Sequence, residues 1–319
     1  MKLGVLTSLY ASRPLEEVLD IVRQAGLDCV EIGAGNFAGN AHVDVTALLG
    51  SAKRRQEYLA AFRSRGLVIS ALSCHGNPLH PRAEVAAASH RVYRRAVELA
   101  EKLEVPVVNL FSGCPGDSPR ARYPNWVTCA WPNDFQEVVE WQWAKRVLPY
   151  WKREAAFAER HHVRLGFEMH PGFVVYNPAT LLRLREECGE SVGANFDPSH
   201  LFWQGVDIVT AIAELGRAGA LYHVHAKDTG IDAANTARNG VLDTTPMARV
   251  ARRSWVFRTV GFGHGEDEWK RIFTAFRRAG YEGAISIEHE DPLFTIDEGF
   301  RRSVAFLRTV MPSEPLAAK

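Results

Sequence analysis

Glu168, Asp197, His225 and Glu288 each end an apolar run, in LGFEMHP (Leu165–Pro171), VGANFDPSH (Val192–His200), YHVHAKD (Tyr222–Asp228) and AISIEHE (Ala284–Glu290). Residues two apart on a β-strand point the same way. Glu168 therefore shares a face with His170, His225 with His223 and Lys227, and Glu288 with Ser286 and Glu290. Two glutamates, an aspartate and an imidazole form a set of hard ligands. Such a set suits Mn²⁺ first, and also Mg²⁺, Co²⁺ or Zn²⁺, rather than a thiolate-seeking metal. Like charges meeting in a low-dielectric setting need a cation, so one divalent ion is expected at these four residues.

A second tier of polar residues surrounds them. His200 follows Asp197 by three residues, where a tight turn directs both to one place, and it is expected to contact substrate or support the ligands. His170 is expected beside Glu168. Lys227 is placed to meet an anionic or hydroxyl group of a substrate, or to pair with Glu288. His75, Asn109 and Glu31 lie at other strand ends, as candidates to bind hydroxyls. Arg258 and His264 flank a further segment, VFRTVGFGH (Val256–His264), and read as lid contacts. His223 sits one layer deeper, Asp228 reads as a cap, and His161 and His162 end a polar helix.

These residues need a scaffold that gathers strand ends. Apolar periodicity predicts strands at Leu3–Thr7, Cys29–Ile32, Leu67–Ser73, Val105–Phe111, to Glu168, to Asp197, Ala220–Ala226 and Gly283–His289, with amphipathic helices between them. Eight strands alternating with eight helices predict a parallel (β/α)₈ TIM barrel, an α/β fold whose chemistry sits at the C-terminal strand ends. Every residue of the first set falls there. One barrel domain over 1–311 and a C-terminal tail over 312–319 are expected.

Two long loops interrupt the pattern, after strands four and seven: Ser112–Asp134, with four prolines, and Thr229–Ser254. Loops of this length inside a compact domain are usually functional. Five of the eight tryptophans lie between Trp126 and Trp151. Both loops are expected to cover the barrel mouth, with Trp126 or Trp131 against the substrate.

Composition narrows the class. The chain has 319 residues, with 38 Lys and Arg against 37 Asp and Glu, a net charge of +1. This balance calls for no nucleic-acid partner. Five cysteines without a CxxC fit a reducing compartment. No segment approaches the roughly 18 apolar residues of a membrane span, and the N-terminus runs straight into a strand. A cytoplasmic protein with a small-molecule partner is expected, as a homo-oligomer or beside a partner subunit.

The segments FEMHP, FDPSH, HVHAKD and ISIEHED resemble those of the xylose isomerase-like TIM barrels. That group includes sugar phosphate isomerases and epimerases, inosose dehydratases and isomerases, ketose 3-epimerases and endonuclease IV. The resemblance spans the chain. It implies a metal-dependent sugar isomerase or epimerase working through an enediolate on a keto sugar or polyol, with or without a phosphate. Glu168, Asp197, His225 and Glu288 would hold the metal, Glu168 and Glu288 would double as acid and base, and His200 would match a substrate-binding histidine. Lys227 stands where an arginine is otherwise found nearby. A lyase or dehydratase of the same fold, including a 3-keto-glycoside-cleaving subunit, and a non-catalytic sugar-binding subunit are the alternatives. The nuclease branch fits poorly, because Trp255–Gly261 lacks its Asp-x-His.

Overall fold

The strands that carry the candidate residues are short and almost wholly buried. Val107–Leu110 and Val192–Phe196 have no exposed position, as expected where a parallel sheet is covered on both faces. A computed structural model describes residues 1–314 of the chain. Its barrel strands are β1 (Lys2–Leu6), β2 (Cys29–Gly33), β3 (Val68–Ser73), β4 (Val107–Leu110), β5 (Arg164–Glu168), β6 (Val192–Phe196), β7 (Leu221–Ala226) and, after two strands described below, β10 (Ala284–Ile287). They close in the order β1-β10-β7-β6-β5-β4-β3-β2, all parallel.

The outer helices dock by one stripe each. Glu266–Arg278 buries Trp269, Ile272, Phe273 and Phe276, the i, i+3, i+4, i+7 pattern of an amphipathic helix. Its first turn carries Glu266, Asp267 and Glu268 and its last Arg277 and Arg278, which suits the helix dipole. Asn177 and Thr180 form a capping box over Pro178–Cys188, with Pro178 in the first turn, where it gives up no hydrogen bond.

Three features lie beyond the eight expected strands. The segment Val256–His264 sits beside the barrel: β9 (Trp255–Arg258) pairs antiparallel with β8 (Asp228–Ile231). The helix after the first long loop runs from Asn133 to Arg160 through a π-helical turn at Trp143–Val147. Pro149 lies in the first turn of its last part, so the irregularity precedes it. A five-residue helix, Pro198–Phe202, follows β6 unforeseen, because one turn is too short to show a period. The helix Ile296–Val310 ends the barrel as expected. Of the tail expected over 312–319, residues 315–319 lie outside the described residues. No helix among the described residues is long and apolar enough to cross a membrane, and all five cysteines are free thiols.

Candidate active site

Strand geometry brings the four expected ligands to one point. Glu168 is the last residue of β5, His225 the penultimate residue of β7, and Asp197 and Glu288 each follow their strand directly. One ligand atom from each of Glu168, Asp197, His225 and Glu288 lies within 4.8 Å of the others. Asp197 doubles as N-cap of Pro198–Phe202, accepting from the Ser199 N–H at 2.8 Å through Oδ1, which leaves Oδ2 turned inward.

The neighbours of these carboxylates are imidazole, ammonium or amide groups. His200 Nε2 is 3.0 Å from Glu168 Oε1 and 3.2 Å from Asp197 Oδ2. His75 Nε2 is 3.0 Å from Glu168 Oε2, and the Asn195 amide donates to the same oxygen at 3.2 Å. His225 Nδ1 faces Glu288 Oε2 at 2.9 Å and Glu168 Oε2 at 3.4 Å. Lys227 Nζ reaches Glu290, Glu288 and Asp197 while resting 4.2 Å over the Phe257 ring.

These contacts set the charge states. Burial alone would raise Glu168, but His75 and hydrogen bonds from His200 and His225 hold it well below the usual carboxylate range. Asp197, equally buried, is lowered by His200 and Lys227. Burial disfavours a charged His200, yet Asp197 and Glu168 push it up to about 9. Lys227 is raised well above its ordinary value, since Glu288 and Glu290 outweigh its burial. His170 goes the other way: burial and the neighbouring His200 keep it neutral.

The donor set fits a divalent cation. Asp197 Oδ2 and Glu288 Oε2 are shielded from solvent and make no hydrogen bond of good geometry, although charged groups stand near them. Buried carboxylate oxygens left so are uncommon unless an ion or water satisfies them.

Above this cluster opens a cavity of about 440 Å³. Glu168, Glu288, His75, His170 and Lys227 line it, and Phe37, Phe111, Leu9 and Ile296 form an apolar side that was not foreseen. Phe37 and Glu290 were missed as site residues. Phe37 sits in a Gly- and Asn-rich loop with no period to flag it, whereas Glu290 shares a strand face with Glu288 and could have been found that way.

Other expected contacts are not on the cavity wall. His200 is buried between Glu168 and Asp197, beneath the cavity floor. Asn109 is buried and donates to Glu31 at 2.8 Å. Arg258 pairs with Asp291 at 3.0 Å. His264 is held by Asp228 at 2.8 Å and stacks on Phe202. Trp131 is 74 % exposed.

The two loops also differ from their expected role as lids, since neither contributes to the cavity wall. A residue of each packs instead against one shared cluster. Trp126 and Val241 join Trp203, Trp255 and Phe257 in an aromatic cluster, with Trp203 and Trp255 stacked at 4.6 Å. Large rings lose more water-exposed area against one another than over an open mouth. The cluster still serves the site, because Phe257 backs Lys227 and packs on His200 at 5.3 Å. Asp228 acts as the expected cap, accepting from the N–H groups of Gly261, Gly263 and His264.

Barrel, strand-end carboxylates and histidine together form a group able to hold a metal ion at a barrel mouth. A family profile described as xylose isomerase-like TIM barrel matches residues 19–310, and the chain belongs to that family. It is 36 % identical over 311 residues, 97 % of its length and 98 % of the relative's, to the uncharacterized protein YfiH of Bacillus subtilis (strain 168). It is 31 % identical over 155 residues to the rhizopine catabolism protein MocC of Rhizobium meliloti, a match covering 48 % of this chain and 44 % of that protein. Among solved structures it resembles the probable 3-DHS dehydratase AsbF of Bacillus anthracis, with a TM-score of 0.65 at 16 % identity and coverage of 97 % and 99 %. It also resembles the 3-keto-D-glucoside 4-epimerase YcjR of E. coli, with a TM-score of 0.62 at 16 % identity and the same coverage. At these identities the structural likenesses establish the fold.

Proposed function

We propose that the chain is a divalent-metal-dependent isomerase or epimerase of a keto sugar or polyol, with Glu168 and Glu288 as acid and base. The observation that carries this reading is the convergence of Glu168 and Glu288, from β5 and the end of β10, on one floor open to a carbohydrate-sized cavity. Glu168, Asp197, His225 and Glu288 would hold a divalent ion, which when bound supplies Lewis-acid stabilisation of an enediolate.

The protein groups do the rest. One glutamate removes the proton next to the substrate carbonyl and the other returns one; a positioned base of this kind contributes roughly 10²–10⁴-fold. His200 and His75 keep Glu168 ionised, so it enters the reaction able to accept. Phe37 and Phe111 offer the C–H face of a sugar ring an apolar surface and thin the water around the reacting carbon. Apart from the glutamates that would hold the ion, the cavity wall carries one ammonium, Lys227, which Glu290 already engages, so little positive charge is left over for the phosphate of a sugar ester.

A dehydratase or lyase outcome shares the first proton removal, and Lys227 on the same wall is the group able to assist a departing hydroxyl. The test is metal-loaded protein incubated in D₂O with ketoses, inososes and 3-keto-glycosides. Deuterium wash-in with an isomeric product supports the isomerase or epimerase reading, and loss of water or aglycone supports the lyase. Sugar binding without any exchange ends both in favour of a binding subunit.

A further inference from the structure

Glu31 is fully buried on β2, across the barrel from β7, and its carboxylate points at the back of His225. His225 Nε2 lies 3.0 Å from Glu31 Oε2 and 3.1 Å from Oε1, whereas Nδ1 faces Glu288 and Glu168. Three strands hold the carboxylate in place. Ser73 on β3 and Asn109 on β4 both donate to Oε1, and His225 on β7 meets both oxygens. The β2–β3 register shifts between Val30 and Glu31, and bulges of this kind re-aim a side chain beside functional sites. Gly166, opposite Asn109 on β5, leaves room for that amide; a Cβ there would stand 2.3 Å from Asn109 Oδ1.

Resting on the metal reading above, we infer that Glu31 is a positioning residue that fixes the metal-binding tautomer of His225. A metal ion held on Nδ1, on the side of Glu168, Asp197 and Glu288, would leave the one ring hydrogen on Nε2, where the Glu31 carboxylate, which can only accept, receives it. The Asn195 amide nitrogen, 3.1 Å from the same Nε2, gives one hydrogen to Glu168 Oε2, and as a neutral donor it is outweighed at Nε2 by a charged carboxylate that meets the ring nitrogen with both oxygens. Its oxygen accepts from His223 Nδ1 at 3.0 Å, which fixes the amide's orientation. His223 in turn meets the hydroxyls of Ser70 and Ser286, each at 3.3 Å. The acid–imidazole group of Glu31, His223 and His225 is thus a supporting layer under the ligand set. Outer partners of this kind orient the ring and raise its basicity, and their loss costs roughly 10–100-fold in metal affinity.

The experiment uses the full chain, Co²⁺ titrated calorimetrically, and ¹⁵N-histidine spectra of the Zn²⁺-loaded protein. The expected results are an Nε2–H signature for His225 in the wild type and, in Glu31→Gln, Co²⁺ binding weakened roughly 10–100-fold with the Nε2 resonance shifted, as a neutral amide replaces the charged acceptor. Circular dichroism of the metal-free variant separates this from unfolding. Should Glu31→Gln not fold, Ser73→Ala and Asn109→Ala, which loosen the carboxylate but keep its charge, carry the test with a smaller loss of affinity. A folded Glu31→Gln with unchanged affinity, unchanged affinity in both support variants, or an Nδ1–H signature in the wild type each overturns the inference. A wild type that takes up no Co²⁺ overturns the metal reading itself and this inference with it.

Discussion

Lys227 Nζ lies 2.5 Å from Glu290 Oε2, closer than its approaches to Glu288 at 3.3 Å and Asp197 at 3.7 Å. Glu290 therefore engages the one lysine on the cavity wall, and little positive charge is left to receive a phosphate. Glu290→Gln should raise the affinity for a ketose phosphate relative to the parent ketose. Glu290 is half-exposed, so the pair is weakly coupled, worth about 0.2–1 kcal/mol, and the ratio should shift by at most about fivefold. Calorimetric titration of both sugars into the Co²⁺-loaded protein measures it. Tighter binding of the phosphate ester by the wild type would contradict the charge argument.

Glu168→Gln and Glu288→Gln should each lower solvent exchange roughly 10²–10⁴-fold, because an amide keeps the shape but accepts no proton. Metal occupancy must be measured alongside, since both are expected ligands. His161→Gln is the control. That histidine is not free in solvent as its place at a helix end suggested, but pairs at the surface with Glu101 at 2.9 Å, a contact of little energetic weight. Near-full exchange by metal-loaded Glu288→Gln rules out the two-glutamate mechanism.

Divalent metal should stabilise the fold. Glu168, Asp197 and Glu288 are brought together at an energetic cost that a bound cation relieves. At a hundredfold excess over Kd the stabilisation is about 2.7 kcal/mol, a rise of several degrees in Tm that EDTA should reverse. An Asp197→Asn variant should lose most of this rise. The same melting curve with and without Co²⁺ or Mn²⁺ would remove the donor set from consideration.

What could be read from the sequence follows the range of the interactions involved. Glu168, Asp197, His225 and Glu288 were visible because strand alternation is local, and β/α alternation alone places their ends at one rim. The support of His225 by Glu31 was not, since it spans 194 positions, crosses the closed barrel and depends on the bulge at Glu31. Trp126 and Trp131 looked like a platform for a ring because loop tryptophans carry no sign of which side they face. Packing sent Trp126 into the Trp203–Trp255–Phe257 cluster and left Trp131 in solvent. Arg258 and His264 read as lid contacts for a related reason: Asp228 reaches His264 only once the hairpin β8–β9 forms, and Asp291 reaches Arg258 only once β10 takes its place in the barrel.

Phe37 offers the cleanest separation of binding from chemistry. It lines the cavity while 73 % exposed, with its ring centroid 6.4 Å from that of Phe111 at a tilt of 49°. Its aromatic neighbour is Phe111 and it belongs to the apolar side of the cavity, so its work is expected to be confined to holding the substrate. Truncation to alanine in Phe37→Ala removes an aromatic face worth about 0.5–1.5 kcal/mol, which predicts a rise in KM of roughly two- to tenfold. Uniform loss of ground-state and transition-state binding leaves kcat unchanged. An exposed side chain contributes little to folding, so Tm should stay within the small range of ordinary surface substitutions. Phe111→Ala differs. Phe111 stacks on Phe173 at 4.3 Å and packs on His75 and His170, so its loss should lower both stability and kcat. Steady-state kinetics of the two variants on a sugar that shows solvent exchange make the comparison. A collapse of kcat in Phe37→Ala with KM unchanged would mean that the rim aromatic takes part in the chemical step, and the division of the cavity into an apolar binding side and a carboxylate floor would have to be abandoned.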